Sequence, residues 1–243
     1  MLNRICKLIR YLKISEYLKA LFHLFYPHIC LQCGTDVLED QYVICEHCES
    51  QLPFTNFSQI QNSPVEKIFW GRVKIQTVVS ILFFTKESIV QKIVFELKYK
   101  QNKKAGYLLG KLIANELIYS NKHKHIDYLI PIPISRKRLR GRGFNQAQVI
   151  CESIIAHGYN IPIFKGLVKL KDTPTQTHKD RKNRGNQTNS LFFLNDFENL
   201  TNKHLLIIDD VLTTGATLEA ASYILSQSNP ASIHIATAAY TLH

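Results

Sequence analysis

The stretch His204-Leu-Leu-Ile-Ile-Asp-Asp-Val-Leu-Thr-Thr-Gly-Ala-Thr217 reads as a strand, a loop and the first turn of a helix. Leu205-Leu-Ile-Ile208 is an apolar run with no polar face, the pattern of a central strand covered on both sides. Two carboxylates follow at once, Asp209 and Asp210. After Val211 and Leu212 comes a hydroxyl- and glycine-rich segment, Thr213-Thr214-Gly215-Ala216-Thr217, and helical spacing then runs to Ser226. In an open parallel sheet, ligands bind beyond the carboxyl ends of the strands, so the acids and the loop stand where a ligand would sit.

The residue types specify the class of ligand. Backbone N–H groups at a helix N-terminus, backed by the helix dipole, cradle an anion. Gly215 lets the backbone approach a phosphate closely, and Thr213, Thr214 and Thr217 flank it with hydroxyl donors. The carboxylates of Asp209 and Asp210 can accept hydrogen bonds from vicinal ribose hydroxyls, and they favour a divalent cation nearby. This chemistry suits a 5-phosphoribosyl group and, with Mg²⁺, 5-phosphoribosyl pyrophosphate (PRPP). An acid pair capping a helix, or Thr-Thr-Gly as a plain turn, accounts for the parts but not for their order.

Outward from this stretch, strands and helices alternate from about residue 126. Tyr128 to Ile134 is a short strand punctuated by Pro131 and Pro133. A helix is expected over Gln146–Ala156, a short strand around Leu191 to Leu194, and a final strand from Ser232 to Ala239. Such alternation predicts an α/β domain with a parallel sheet flanked by helices. Further upstream, Ile75 to Phe84 is β-rich, and two runs with helical spacing follow it, one on Ile89, Ile93, Val94 and Leu97, the other on Leu108, Leu112, Ile113 and Leu117. Four segments are expected: an amphipathic basic helix over 1–26, a Cys-rich knuckle over 27–54, a connecting strand/helix region over 55–125 that could form a hood, and the α/β domain over 126–243.

The Cys-rich segment holds Cys30-x-x-Cys33 and Cys45-x-x-Cys48, separated by eleven residues. Each pair can present two thiolates from a tight turn, and two such turns close a tetrahedral S4 site for structural zinc. Redox pairs or an iron–sulfur cluster are the alternatives. No secretory signal stands at the N-terminus, so a reducing cytoplasm is expected and disulfides are not. Cys6 and Cys151 read as ordinary small hydrophobes.

Composition is that of a soluble globular protein, 45% hydrophobic and 20% charged, but 30 Lys and Arg against 19 Asp and Glu leave a net charge of +11. Residues 131–187 hold twelve of the cations and three of the acids. This excess points to a polyanionic partner. Within it lie Arg136, Lys137, Arg138, Arg140 and Arg142, following a strand end and therefore suited to pyrophosphate or a nucleic-acid backbone. A second polar cluster, residues 173–186, lacks apolar periodicity and is long for a connection. It reads as a flexible loop that could bring Gln176, Lys179, Arg181 and Arg184 over a site. A solvated charged surface is the plain alternative for both. Residues 1–26 interleave apolar positions with Arg4, Lys7, Arg10, Lys13 and Lys19, as a helix packed on the protein or one touching anionic lipid at the inner face of the cytoplasmic membrane. No apolar run there is long enough to span a bilayer.

These motifs together, in this order, resemble the ComF family of competence-associated, phosphoribosyltransferase-like proteins. The resemblance covers roughly residues 24–240. It rests on the four cysteines, Phe95-Glu-Leu-Lys-Tyr99, Pro131-Ile-Pro133 leading to Arg138-Leu-Arg-Gly-Arg-Gly-Phe-Asn-Gln146, Thr173-Pro-Thr-Gln176, Arg184-Gly-Asn186 and Asp209 through Thr217. It implies a type I phosphoribosyltransferase fold with an N-terminal zinc finger, acting in natural transformation on internalised single-stranded DNA, with a competence helicase or other DNA-uptake proteins as partners. Carried onto this sequence, Asp209 and Asp210 would hold the ribose hydroxyls and residues 213–217 the 5′-phosphate. The loop after the strand, residues 135–140, would lie near pyrophosphate.

Two classes of function then compete, with a PRPP-sensing regulator as a third. One is an Mg²⁺-dependent transfer of phosphoribose to an acceptor, with charge stabilised by loop amides and cations. The other is a PRPP-binding module that holds single-stranded DNA through phosphate contacts and aromatic stacking on Phe144, Tyr159 or Trp70. No segment reads as a nucleobase pocket, and any hood is expected from the N-terminal half.

Overall fold

The apolar runs assemble as the alternation predicts. A computed structural model of the chain describes residues 27–36, 39, 41–120, 125–170, 191–195 and 200–242. The expected helix over 1–26 and the expected flexible loop over 173–186, with Gln176, Lys179, Arg181 and Arg184, lie outside the described residues. Two compact units are present, Met1–Gln51 and Leu52–His243.

In the larger unit, strands β1 (Thr77–Phe84), β2 (Tyr128–Pro131), β5 (His204–Leu212) and β6 (Ser232–Thr241) form one sheet in the order β1-β6-β5-β2, every pair parallel. Parallel strands need crossovers, and helices supply them. Helices α3 (Ile89–Tyr99) and α4 (Lys103–Tyr119) lead from β1 to β2, α5 (Arg136–Arg142) and α6 (Gln146–Ala156) follow β2, and α7 (Ala216–Ser226) joins β5 to β6. The short helices α1 (Glu46–Ser50) and α2 (Pro64–Lys67) precede them, and β3 (Leu167–Lys169) pairs antiparallel with β4 (Phe192–Leu194).

Strand β5 is central, and its Leu205, Leu206, Ile207 and Ile208 are fully buried, as a strand covered on both faces requires. Alternation sends Leu205 and Ile207 to one face, where they pack with Ile233, Ile235 and the α7 residues Leu218, Ala221 and Leu225. The edge strand β1 lies within the region 55–125, and its register runs from Thr77 opposite His234 to Phe84 opposite Thr241. That region therefore shares the sheet with residues 126–243. Leu52 is buried and Phe54 bridges Leu82, so the chain has joined the larger unit before residue 54.

The segment 135–140, expected as a loop, is instead part of a helix. The Ser135 hydroxyl accepts the Arg138 N–H at 3.3 Å as an N-cap, and Gly143 at φ 78° closes the helix after Arg142. Arg, Lys and Leu all favour helix, so a capped run of them forms one despite its charge.

At the amino edge of the sheet a polar chain ties three strands together. The His204 ring meets the Ser232 hydroxyl at 2.7 Å, Ser232 meets His234 at 2.7 Å, and His234 meets Thr77 at 2.8 Å. Burial pushes the His234 imidazole down to about 4, so it stays neutral within the chain.

Candidate functional site

The β5 hydrogen-bond ladder continues past the apolar run to Leu212, carrying Asp209 and Asp210 to the carboxyl edge. Successive strand residues alternate, so the two acids face opposite sides of the sheet. Asp209 lies at the level of Thr237 on β6, which in turn pairs with Ser80 on β1. The row Asp209–Thr237–Ser80 is a polar layer in an otherwise apolar face, and the Thr237 and Ser80 hydroxyls are buried with no hydrogen-bond partner among the described residues. Burial, and then the neighbouring Asp210 carboxylate, push the Asp209 carboxyl up to about 7. The Asp210 backbone N–H, which donates to Asp209 Oδ1 at 2.9 Å, and the charges of Lys98 and Lys169 oppose that rise.

Asp210 is buried at 7% exposure and forms an ion pair with Lys98, whose Nζ lies 2.9 Å from Oδ1. Lys98 sits in the last turn of α3, between buried Leu97 and exposed Tyr99. Ser88 caps the start of that helix by accepting the Gln91 N–H, and Val90, Ile93, Val94 and Leu97 bury its apolar stripe. The stripe fixes the roll of α3 and so aims Lys98 at β5. Spacing alone marks Lys98 as a polar position on an amphipathic helix. The motif Phe95-Glu-Leu-Lys-Tyr99 was the only pointer to it, and no partner could be read from it.

The hydroxyl–glycine loop follows β5 as expected. Thr213, Thr214 and Ala216 are exposed, Thr217 is half-buried and Gly215 is buried. Gly215 adopts φ +78° immediately before α7, and its carbonyl accepts the Glu219 N–H at 2.8 Å. A Cβ there would meet Ile68 Cγ2 at 2.7 Å and the Phe69 ring at 3.3 Å, so only glycine fits both the backbone and the space. The segment after α2 therefore supports the loop from behind. First-turn N–H groups of a helix have no intrahelical acceptor, so the start of α7 offers donors to an anion beside the two carboxylates.

The basic block lies at the same edge, joined through α3 and α4. Arg142 stacks over the Tyr99 ring at 5.6 Å, and Lys103 over the Phe144 ring at 5.5 Å. Arg142 also donates to Gln146 Oε1 at 2.9 Å. Arg136, Lys137, Arg138 and Arg140 project from α5 as exposed cations. Lys169, at the end of β3, acts on Asp209 by its charge and stacks over the Phe192 ring at 5.6 Å. Of the three aromatics expected to stack on bases, Phe144 stands among these cations. Tyr159 is half-buried, and burial pushes its hydroxyl up to about 12. Trp70 is exposed beside a cavity of about 290 Å³ lined by Glu66, Phe69, Val73 and Thr77.

In the smaller unit the four expected cysteines converge. The sulfurs of Cys30, Cys33, Cys45 and Cys48 all lie within 4.8 Å of one another, with Cys30 and Cys48 buried. Gly34 at φ 75° turns the first pair back on itself, its N–H donating to the Cys30 carbonyl, while Cys45 caps α1 and Cys48 lies within it. Burial pushes the Cys30 thiol up, but backbone N–H groups about Cys33, Cys45 and Gln32 outweigh it and hold it at about 6. Burial and the neighbouring sulfurs push Cys48 up to about 12. Four sulfurs this close form a donor set that could hold a metal such as zinc, whose charge would stabilise all four thiolates together. Cys151 is buried in α6, away from this cluster in sequence and in a different unit.

Comparison with known proteins agrees with this geometry. Residues 104–243 match the family described as phosphoribosyl transferase domain. The chain is 24% identical to DNA utilization protein YhgH of Salmonella typhi over 147 residues, 59% of this chain and 63% of that protein. It is 24% identical to Competence protein F of Haemophilus influenzae over 206 residues, 84% of this chain and 86% of that one. It is 31% identical to Competence protein ComFC of Bacillus subtilis over 121 residues, 48% of this chain and 44% of that one. The chain thus spans somewhat less than two thirds of the length of the DNA utilization relatives. With the parallel sheet, the acid pair and the loop at its carboxyl edge, these matches place the chain in the phosphoribosyl transferase domain family, as a ComF-family, phosphoribosyltransferase-like protein.

Proposed function

We propose that this chain binds PRPP with Mg²⁺ at the carboxyl edge of β5 and acts on single-stranded DNA in natural transformation. The observation that carries the reading is the juxtaposition of Asp209, Asp210 and the Gly215 loop at one strand end. Asp209 and Asp210 would receive the ribose hydroxyls, residues 213–217 the 5′-phosphate, and Lys98 would balance charge beside Asp210. The α5 cations would attract pyrophosphate or the DNA backbone, and residues 173–186 would bring Gln176, Lys179, Arg181 and Arg184 over the site. The competence names of the relatives favour the DNA role, with a DNA-uptake helicase as a partner and residues 1–26 as a membrane contact.

An active transferase on a separate acceptor is the second reading, and one feature favours it. A carboxyl poised near 7 can exchange a proton at neutral pH, as general acid–base chemistry requires. Calorimetry with PRPP and Mg²⁺ tests the shared site: the variant with both Asp209→Asn and Asp210→Asn should lose binding, and unchanged affinity would refute the assignment. Pyrophosphate release from PRPP in the presence of oligonucleotide separates the two readings. Transformation by linear DNA in a deletion strain, complemented with the same variant, tests the biological role.

A further inference from the structure

Single-stranded nucleic acid is held without sequence preference by rings that stack on bases and cations that track phosphates. One surface of this chain combines both at short range. Phe95 and Tyr99 lie one helical turn apart on α3, their ring centroids 5.1 Å apart and tilted by 40°. Both are exposed, Phe95 at 49% and Tyr99 at 63%, which is unusual for adjacent large aromatics on a helix that buries Val90, Ile93, Val94 and Leu97. The helix ends here, and the chain turns through Gln101 into α4. There Arg142 covers the Tyr99 ring at 5.6 Å and Lys103 covers the Phe144 ring at 5.5 Å. Gly143 stands against the Gln101 side chain, so the end of α5 and the α3–α4 turn form one continuous surface. The exposed cations of α5 extend it.

The electrostatics favour a polyanion. Glu96, which accepts a hydrogen bond from the Asn102 side chain at 3.2 Å, is the one acid of α3 and stands against the cations of Lys103, Arg142 and α5. The position is also informative. Tyr99 directly follows Lys98, the partner of Asp210, so the rings stand on the helix whose last turn also supplies the cation of the carboxylate site. Trp70 has a cavity beside it but, among the described residues, no cation over its ring, which makes it a poorer platform.

We propose that single-stranded DNA binds on this surface, with bases stacked on Phe95, Tyr99 and Phe144 and phosphates on Arg142, Lys103 and the α5 cations. This rests on the DNA-binding reading above and adds the place and the contacts. It puts a nucleotide of the strand beside the PRPP site.

Fluorescence anisotropy of a labelled oligo(dT) against the full-length protein tests it. The variant with Phe95→Ala and Tyr99→Ala should bind about tenfold more weakly for each ring lost, with the salt dependence unchanged. The variant with Arg136→Gln and Arg140→Gln should instead flatten the salt dependence. Tyr99→Trp should retain binding and Trp70→Ala should leave it as in the wild type. Both rings are exposed, so circular dichroism melting should show no loss of fold. Wild-type affinity in the double-ring variant would overturn the surface while leaving DNA binding intact. If the wild-type protein failed to bind oligo(dT) at low salt, the DNA reading itself would fall, and the surface with it.

Discussion

Replacing Asp209 with Asn should stabilise the protein at neutral and alkaline pH and do little in acid. Asn keeps the shape and can still accept the Asp210 N–H, now made to Asp209 Oδ1 at 2.9 Å, but it carries no charge. The Asp209 carboxyl is raised from an ordinary 3.8 to about 7, by burial first and by Asp210 second. A raised carboxyl binds its proton more tightly folded than unfolded, so folding is penalised once the group must ionise. The penalty is absent below about pH 4, grows between 4 and 7, and is complete above 7. At 1.36 kcal/mol per pH unit its ceiling is about 4 kcal/mol. The residue keeps some exposure at the sheet edge, so solvent screening should leave about 2 kcal/mol of this. For a domain of this size that is a rise of about 4–8 °C in Tm at pH 8. Thermal melts of wild type and Asp209→Asn from pH 4 to 9, without PRPP or divalent cation, read the difference directly. A gain of equal size at pH 4 and pH 8, or a loss at pH 8, would refute the argument. A gain at pH 8 with loss of PRPP binding would show a carboxylate held for function against stability.

Lys98→Met keeps the apolar stem and removes the partner of Asp210, which should destabilise by about 1–3 kcal/mol in urea denaturation. Adding Asp210→Asn should restore most of that, and strict additivity in this double-mutant cycle would deny the pairing. Two glycines should respond in opposite directions to Ala. Gly215→Ala meets Ile68 at a positive φ and should cost about 1–3 kcal/mol, whereas Gly141→Ala places a Cβ in open space within α5 and should add about 0.5–1 kcal/mol. Cys45→Ser should lower the zinc content of freshly purified protein well below one equivalent and open residues 27–51 to limited proteolysis. The melting of Leu52–His243, a separate compact unit, should move little, and its collapse on metal loss would contradict that independence.

Local features of the chain were enough to identify what depends on neighbours in sequence. The apolar run Leu205-Leu-Ile-Ile208, the two acids and the Gly215 loop declared a strand end at a parallel sheet, and β5 and α7 follow that order. The helix over Gln146–Ala156 and the clustering of four cysteines were equally legible, because periodicity and short spacing encode them. What lay beyond reach depends on chain segments brought together by packing. Lys98 and Asp210 are more than a hundred residues apart, and only the buried stripe of α3 decides which way Lys98 points. Residues 135–140 were expected as a loop because they follow a strand end, yet the Ser135 cap and the helix-forming side chains prevailed. The high proton affinity of Asp209 likewise arises from its burial at the end of a central strand and from the Asp210 charge beside it. The carboxylates could be found from the chain alone, but their cation, their opposite faces and the raised proton affinity of Asp209 exist only once the sheet has formed.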